Sequence, residues 1–367
     1  MNLALLLSIA FLLYFCVTVD SSTSRPIIGV LVQETNPTIK KYYHNAKSYV
    51  AASYVKSIEG SGARVAPIFI GQQETYYDNI VSYINGLLLP GGNTFFNNTN
   101  GYADAAHMLM TKIRRMPYFP VLGICLGFEV LLYSDCNKSE KSREPCKSLN
   151  TLLPLNFKPN YNDSLLFEHA PSQIIDILRT SKTTYNSHIF CVTEKVLQTC
   201  NLQDKWKVLS TNLDINGKEF ISTLESTSLS IAGLQFHPEK IYEWKKSKNY
   251  PHSQDSITAM RYFFDWLVDH ARKNSHAFPS YEAELDSLIS NYDKTFTIEN
   301  LIYDELYLFN KENESTDGSD NDGVCIACKK VNARSQEKRK SNFDNKDPFY
   351  NQYNLESCNK ELSFTNG

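Results

Sequence analysis

The chain has no cationic excess: 37 Lys and Arg face 40 Asp and Glu over 367 residues. Holding nucleic acid by its phosphates requires such an excess, so nucleic acid is not an expected partner. Glycine and proline are sparse, at 15 and 14 residues, while aromatics make up 12% and hydrophobic residues 42%. That combination excludes a collagenous or wholly disordered chain. Beyond the first twenty residues no apolar run reaches the ~18 residues of a spanning helix. Met1 to Val19 is almost unbroken apolar sequence, but it lacks Lys and Arg, and the polar residues Asp20 to Ser24 follow it. It reads as a cleavable signal peptide over 1–21, with a retained anchor as the alternative. No stable membrane span is expected after its removal.

Secretory entry changes what the nine cysteines mean. Cys136/Cys146 and Cys191/Cys200 form two local pairs in polar stretches, suited to loop disulfides in an oxidising compartment, although four cysteines allow three pairings. Sequons at Asn97, Asn137, Asn162 and Asn313 fit a glycosylated secretory protein. The destination is a lysosome, a vacuole or the exterior. Residues 311–367 have a different composition. Eight of these 57 residues are Leu, Ile, Val or Phe, and an acidic block precedes a basic one. This reads as a polar, disordered tail. Its Cys325-Ile-Ala-Cys328 lacks nearby histidines and a fourth ligand, so no metal site is expected there.

At ~150 residues per domain the length suggests two domains, or one large α/β domain with appendages. Between the two ends, β-branched runs alternate with amphipathic ones. Pro26–Val32, Arg64–Ile70, Ile84–Leu89 and Pro120–Cys125 read as strands. Tyr49–Gly60, Ala103–Arg115 and Ile257–Lys273 read as helices, and Phe220–Glu225 with Leu229–Phe236 as a hairpin. Strands separated by helices build a mostly parallel sheet covered on both faces, with ligands beyond the strands' carboxyl ends. The expected fold is therefore α/β, with one domain over 22–310.

Three motifs fall at such ends. Gly123-Ile-Cys125-Leu-Gly127 joins a strand to a helix. Its glycines permit a tight turn that presents Cys125 as a nucleophile, and the helix N-terminus favours a thiolate. The alternative is a buried structural cysteine beside packing glycines. His237-Pro238-Glu239 ends the hairpin. Residues i and i+2 of an extended segment share a side, so Glu239 can orient the His237 imidazole as in a triad. Pro90-Gly91-Gly92 supplies unobstructed backbone N–H groups. With the N–H of Leu126, these can form an oxyanion hole.

Taken together, Leu-Pro-Gly-Gly (89–92), Gly-Ile-Cys-Leu-Gly-Phe-Glu (123–129) and Gln-Phe-His-Pro-Glu-Lys (235–240) resemble the class I glutamine amidotransferase-like superfamily. More narrowly they resemble the γ-glutamyl hydrolases, also called folylpolyglutamate hydrolases. The resemblance covers about 26–310, with Phe236 where Trp is frequent. It implies a three-layer α/β/α sandwich and a cysteine hydrolase of γ-glutamyl bonds in folylpoly-γ-glutamates, acting through a thioester. In that reading Cys125 is nucleophile, His237 base and acid, Glu239 the orienting carboxylate, and Gly92 and Leu126 the oxyanion hole. His188, Tyr54, Glu129 and Gly91 would meet substrate. The resemblance implies no metal or organic cofactor, and members of the family are often homodimers. The rival readings are a glutaminase of the amidotransferase type and an inactive secreted binding protein.

Overall fold

The computed structural model describes residues 22–299 and 301–310. The signal reading for 1–21, the tail at 311–367 with its CxxC, and Asn313 lie outside the described residues. Eight strands form the central sheet: β1 (Ile27–Leu31), β2 (Arg64–Ile68), β3 (Gly86–Leu89), β4 (Val121–Ile124), β5 (Asn156–Phe157), β6 (Trp206–Leu213), β7 (Glu219–Ser226) and β8 (Ile231–Leu234). Their order is β2-β1-β3-β4-β8-β7-β6-β5. The first five are mutually parallel, and β7, β6 and β5 continue the sheet antiparallel.

Helices cover both faces. These are α1 (Ala52–Gly60), α2 (Glu74–Tyr83), α3 (Tyr102–Ile113), α4 (Leu126–Asp135) and α5 (Gln254–Arg272). Strand alternation sorts their contacts. Ile28, Val30, Leu88 and Leu122 pack with α1 and α5 in one core. Ile27, Leu31, Leu87 and Val121 pack with α2, α3 and α4 in the other. The three-layer α/β/α sandwich follows from those two cores.

Two expectations are corrected here. The helix expected over Tyr49–Gly60 begins at Ala52, because Ser48–Ala51 is a strand paired with Glu305–Phe309 in a separate four-stranded sheet. Aromatic and β-branched Tyr49 and Val50 suit that pairing, and tertiary context overrides the helical spacing. The expected local cysteine pairs are also replaced. Glu144–Leu153 and Thr184–Cys191 form an antiparallel ribbon, and Cys146 is bonded to Cys191 across it. Cys136 follows α4 and is bonded to Cys200, which follows the short helix Glu194–Thr199. Asn97, Asn137 and Asn162 are all exposed.

Candidate active site

Cys125 stands between β4 and α4 with φ +50° and ψ −107°. A non-glycine residue held at positive φ is strained, and the surroundings must impose it. Here Cys125 N–H donates to the Leu234 carbonyl (2.7 Å) and Glu129 N–H to the Cys125 carbonyl (2.9 Å). The flanking glycines leave no room for side chains. A Cβ on Gly123 would lie 2.7 Å from Leu131 Cδ1, and one on Gly127 would collide with the Leu89 carbonyl. The thiol is free and buried.

Burial pushes the Cys125 thiol well above its ordinary range, and the Glu129 and Glu239 carboxylates add to this. The Leu126 N–H opposes them and is outweighed. The helix N-terminus thus favours the thiolate, as expected, through the Leu126 N–H, but burial and the two carboxylates prevail. One amide dipole cannot offset the loss of solvent plus two negative charges.

His237 follows β8 by three residues, and its N–H donates to the Tyr185 carbonyl (2.8 Å). Its Nδ1 is 2.9 Å from Glu239 Oε1. His237 itself is extended (φ −111°, ψ 90°), as expected before a proline, but the expected strand-like i, i+2 route to Glu239 is replaced. Pro238–Tyr242 is a 3-10 turn capped by His237, with Pro238 in its first position, and the turn brings Glu239 back to the ring. Burial alone would raise Glu239, but the His237 charge and hydrogen bond, helped by Lys240, hold it below its ordinary range.

Gly91 lies where these groups meet. A Cβ there would be 2.8 Å from His237 Cε1, 2.8 Å from Tyr54 Oη and 3.1 Å from Cys125 Cβ. Its N–H donates to Tyr54 Oη (2.9 Å) and its carbonyl accepts from Gln33 Nε2 (3.1 Å). The N–H of Gly91 is thus occupied, whereas that of Gly92 meets no acceptor among the described residues. Tyr54 is buried, and burial raises its hydroxyl well above the usual phenol range.

Glu129 is buried at the start of α4, where Oε2 pairs with Arg143 Nη1 (3.0 Å) and Oε1 accepts from Gln235 Nε2 (3.1 Å). That Gln235 nitrogen is also 4.0 Å from Cys125 Sγ. Arg143 is held between the rings of Phe96 and Phe190, 3.7 and 4.5 Å from their centroids. His188 is buried in the ribbon strand, with Nδ1 3.1 Å from the Phe190 carbonyl and Nε2 3.3 Å from Asn186 Oδ1. Burial, then the His237 charge, lowers it to about 3. The cavity beside His237 is lined by Tyr185 and Ser187, whereas alternation turns His188 the other way. The structure therefore brings Cys125, His237, Glu239, Tyr54 and Gly91 together, with Glu129 reaching them through Gln235. His188 stands behind the cavity wall.

Lys240, Gln235 and Arg143 join the site beyond the residues that the sequence marks. Lys240 and Gln235 belong to the motif around His237, which was the available signal; Arg143, in a polar stretch, had none.

A cysteine on a strained strand–helix turn, next to a carboxylate-held imidazole at the end of a covered parallel sheet, is the arrangement of a cysteine hydrolase. Residues 26–239 match the peptidase C26 family. The chain is 35% identical over 297 residues to mouse (Mus musculus) gamma-glutamyl hydrolase, covering 79% of this chain and 91% of that protein. It is 32% identical over 304 residues to gamma-glutamyl hydrolase B of Dictyostelium discoideum, covering 81% and 87%. Gamma-glutamyl hydrolase 2 of Arabidopsis thaliana is 31% identical over 297 residues, covering 78% and 84%. The chain belongs to the peptidase C26 family of cysteine-type γ-glutamyl hydrolases.

Proposed function

We propose that this chain cleaves γ-glutamyl amide bonds of folylpoly-γ-glutamates through a thioester on Cys125. The observation that carries the mechanism is the convergence of Cys125, the His237–Glu239 pair and Tyr54 on Gly91. Because the thiol is held protonated by burial, its proton passes to His237 as sulfur attacks the γ-carbonyl. Glu239, ionised and 2.9 Å from Nδ1, stabilises the imidazolium that forms. The oxyanion rests on the N–H groups of Gly92 and Leu126. His237 then returns the proton to the leaving amine, the C–N bond breaks, and a γ-glutamyl thioester remains. Water deprotonated by His237 attacks the thioester, releasing the γ-carboxylic acid and the thiol. In this reading Glu129 and Tyr54 shape the acyl side and His188 backs the wall near His237. The two disulfides and three exposed sequons support passage through the secretory pathway to a lysosome, a vacuole or the exterior.

The test is incubation of the purified protein with a pteroylpolyglutamate, a γ-glutamyl dipeptide and free glutamine. Turnover of the first two is expected, and Cys125→Ala should lower it by at least ~10³-fold. Turnover of glutamine alone would establish the glutaminase reading. No turnover of any of the three would favour a binding protein.

A further inference from the structure

The carboxylates around the nucleophile are each matched by an internal cation. Glu129 is held by Arg143, and Glu239 by His237. Lys240 Nζ lies 3.7 Å from both Glu239 and Glu243, with the Tyr303 and Tyr250 rings 4.5 and 5.3 Å away. Each of these cations already faces a carboxylate of the protein, although Lys240 Nζ makes no hydrogen bond with a described residue and Lys240 itself lines the cavity beside His237.

Lys248 differs. It lines the cavity together with His237, Gly92, Ser187, Tyr185 and Lys240, is partly exposed and, unlike Lys240, makes no ion pair with a described residue. Its loop is fastened on both sides. Lys248 N–H donates to the Lys245 carbonyl (3.0 Å), Asn249 N–H to Asn150 Oδ1 (2.9 Å) and Tyr250 Oη to the Ile302 carbonyl (2.8 Å). These bonds fix the backbone that carries Lys248, so that part of the loop need not be ordered on binding.

The reaction fixes which part of the substrate reaches this cavity. His237 must protonate the departing nitrogen, so the leaving chain lies on the His237 side of Cys125. In a γ-linked polyglutamate that nitrogen is the α-amine of the next glutamate, whose α-carboxylate is two bonds away. We propose that Lys248 binds the α-carboxylate of this leaving-side glutamate and so selects substrates whose leaving group is itself an amino acid. The proposal rests on the γ-glutamyl hydrolase reading above.

The experiment compares kcat/KM for pteroylpentaglutamate with that for γ-glutamyl-p-nitroanilide, whose leaving group carries no carboxylate. In Lys248→Ala and Lys248→Glu the ratio of the two should fall about tenfold or more, mostly through the KM for the pentaglutamate. Lys248→Arg should restore it. Added salt should raise the wild-type KM for the pentaglutamate more steeply than that of either variant. An unchanged ratio, with both substrates still turned over, overturns the role of Lys248 and leaves the hydrolase reading intact. Equal losses on both substrates also overturn it, since they mark a general disturbance of the site. A wild-type protein that cleaves neither substrate overturns the hydrolase reading and Lys248's role with it.

Discussion

Gly91 is the residue on which the cleft turns, because three side chains of the proposed site approach the place a Cβ would fill. The atoms in the way belong to the His237, Tyr54 and Cys125 side chains, so one or more of these must shift if that space is taken, and the Gly91 N–H itself carries the Tyr54 contact. Gly91→Ala should therefore leave the fold intact and cut kcat/KM by ~10²-fold, the scale of an ångström of misplacement in an active site. Steady-state kinetics with circular dichroism on the same preparation checks this. Wild-type kinetics in the variant would show that the three groups yield without cost. Cys125 makes the complementary case. Its positive φ is held by two backbone hydrogen bonds and by glycines with no space for a Cβ. Turn chemistry of this kind is local, so it could be read from five residues of sequence. The state of the thiol could not, because it depends on burial and on Glu129 and Glu239, both set by packing.

Among the elements, the ribbon of Glu144–Leu153 and Thr184–Cys191 was the least legible and contributes most to one side of the cleft. Its first strand is half-exposed and polar, EPCKSLNTLL, with no clean alternation to mark it. It nevertheless supplies the Cys146–Cys191 bond, Tyr185 and Ser187 to the cavity, and His188 behind it. The parallel strands were legible for the opposite reason: buried on both faces, they are nearly continuous apolar runs bounded by Pro and Gly. The 3-10 turn at Pro238 was hidden because proline also permits extended geometry. The disulfides separate residues 64 and 45 apart in sequence, so each removes considerable freedom from the unfolded chain. Cys136→Ser/Cys200→Ser should cost about 2–5 kcal/mol of stability, read as a lower urea midpoint with the catalytic constants little altered. The Cys146→Ser/Cys191→Ser pair should cost a similar amount and also lower activity, because the ribbon carries part of the cavity wall. Equal activity losses in both double variants would detach the ribbon from the cleft.

Across the whole molecule, proton binding should tie stability to pH through His188. Burial, and then the His237 charge, lower it from 6.5 to about 3 in the folded protein. A group more easily protonated when unfolded stabilises the fold above its unfolded pKa, and that contribution is lost as pH falls towards the folded value. The window is therefore about pH 6.5 down to pH 3, and within it one proton is worth about 1.4 kcal/mol per pH unit. His107 and His270 are lowered by burial and act in the same direction, whereas Glu129, Glu225 and Glu243 are raised and act against it. The total slope mixes these groups, so the informative quantity is the difference between wild type and His188→Gln, which keeps a polar group facing the Phe190 carbonyl. That difference should change by about 1.4 kcal/mol per pH unit between pH 6 and pH 4.5 in the variant's favour, measured as urea unfolding free energy at each pH. A difference independent of pH would mean that His188 is protonated in the folded protein. The cavity wall would then hold a charge beside His237, and the proton transfer from Cys125 would be opposed by it.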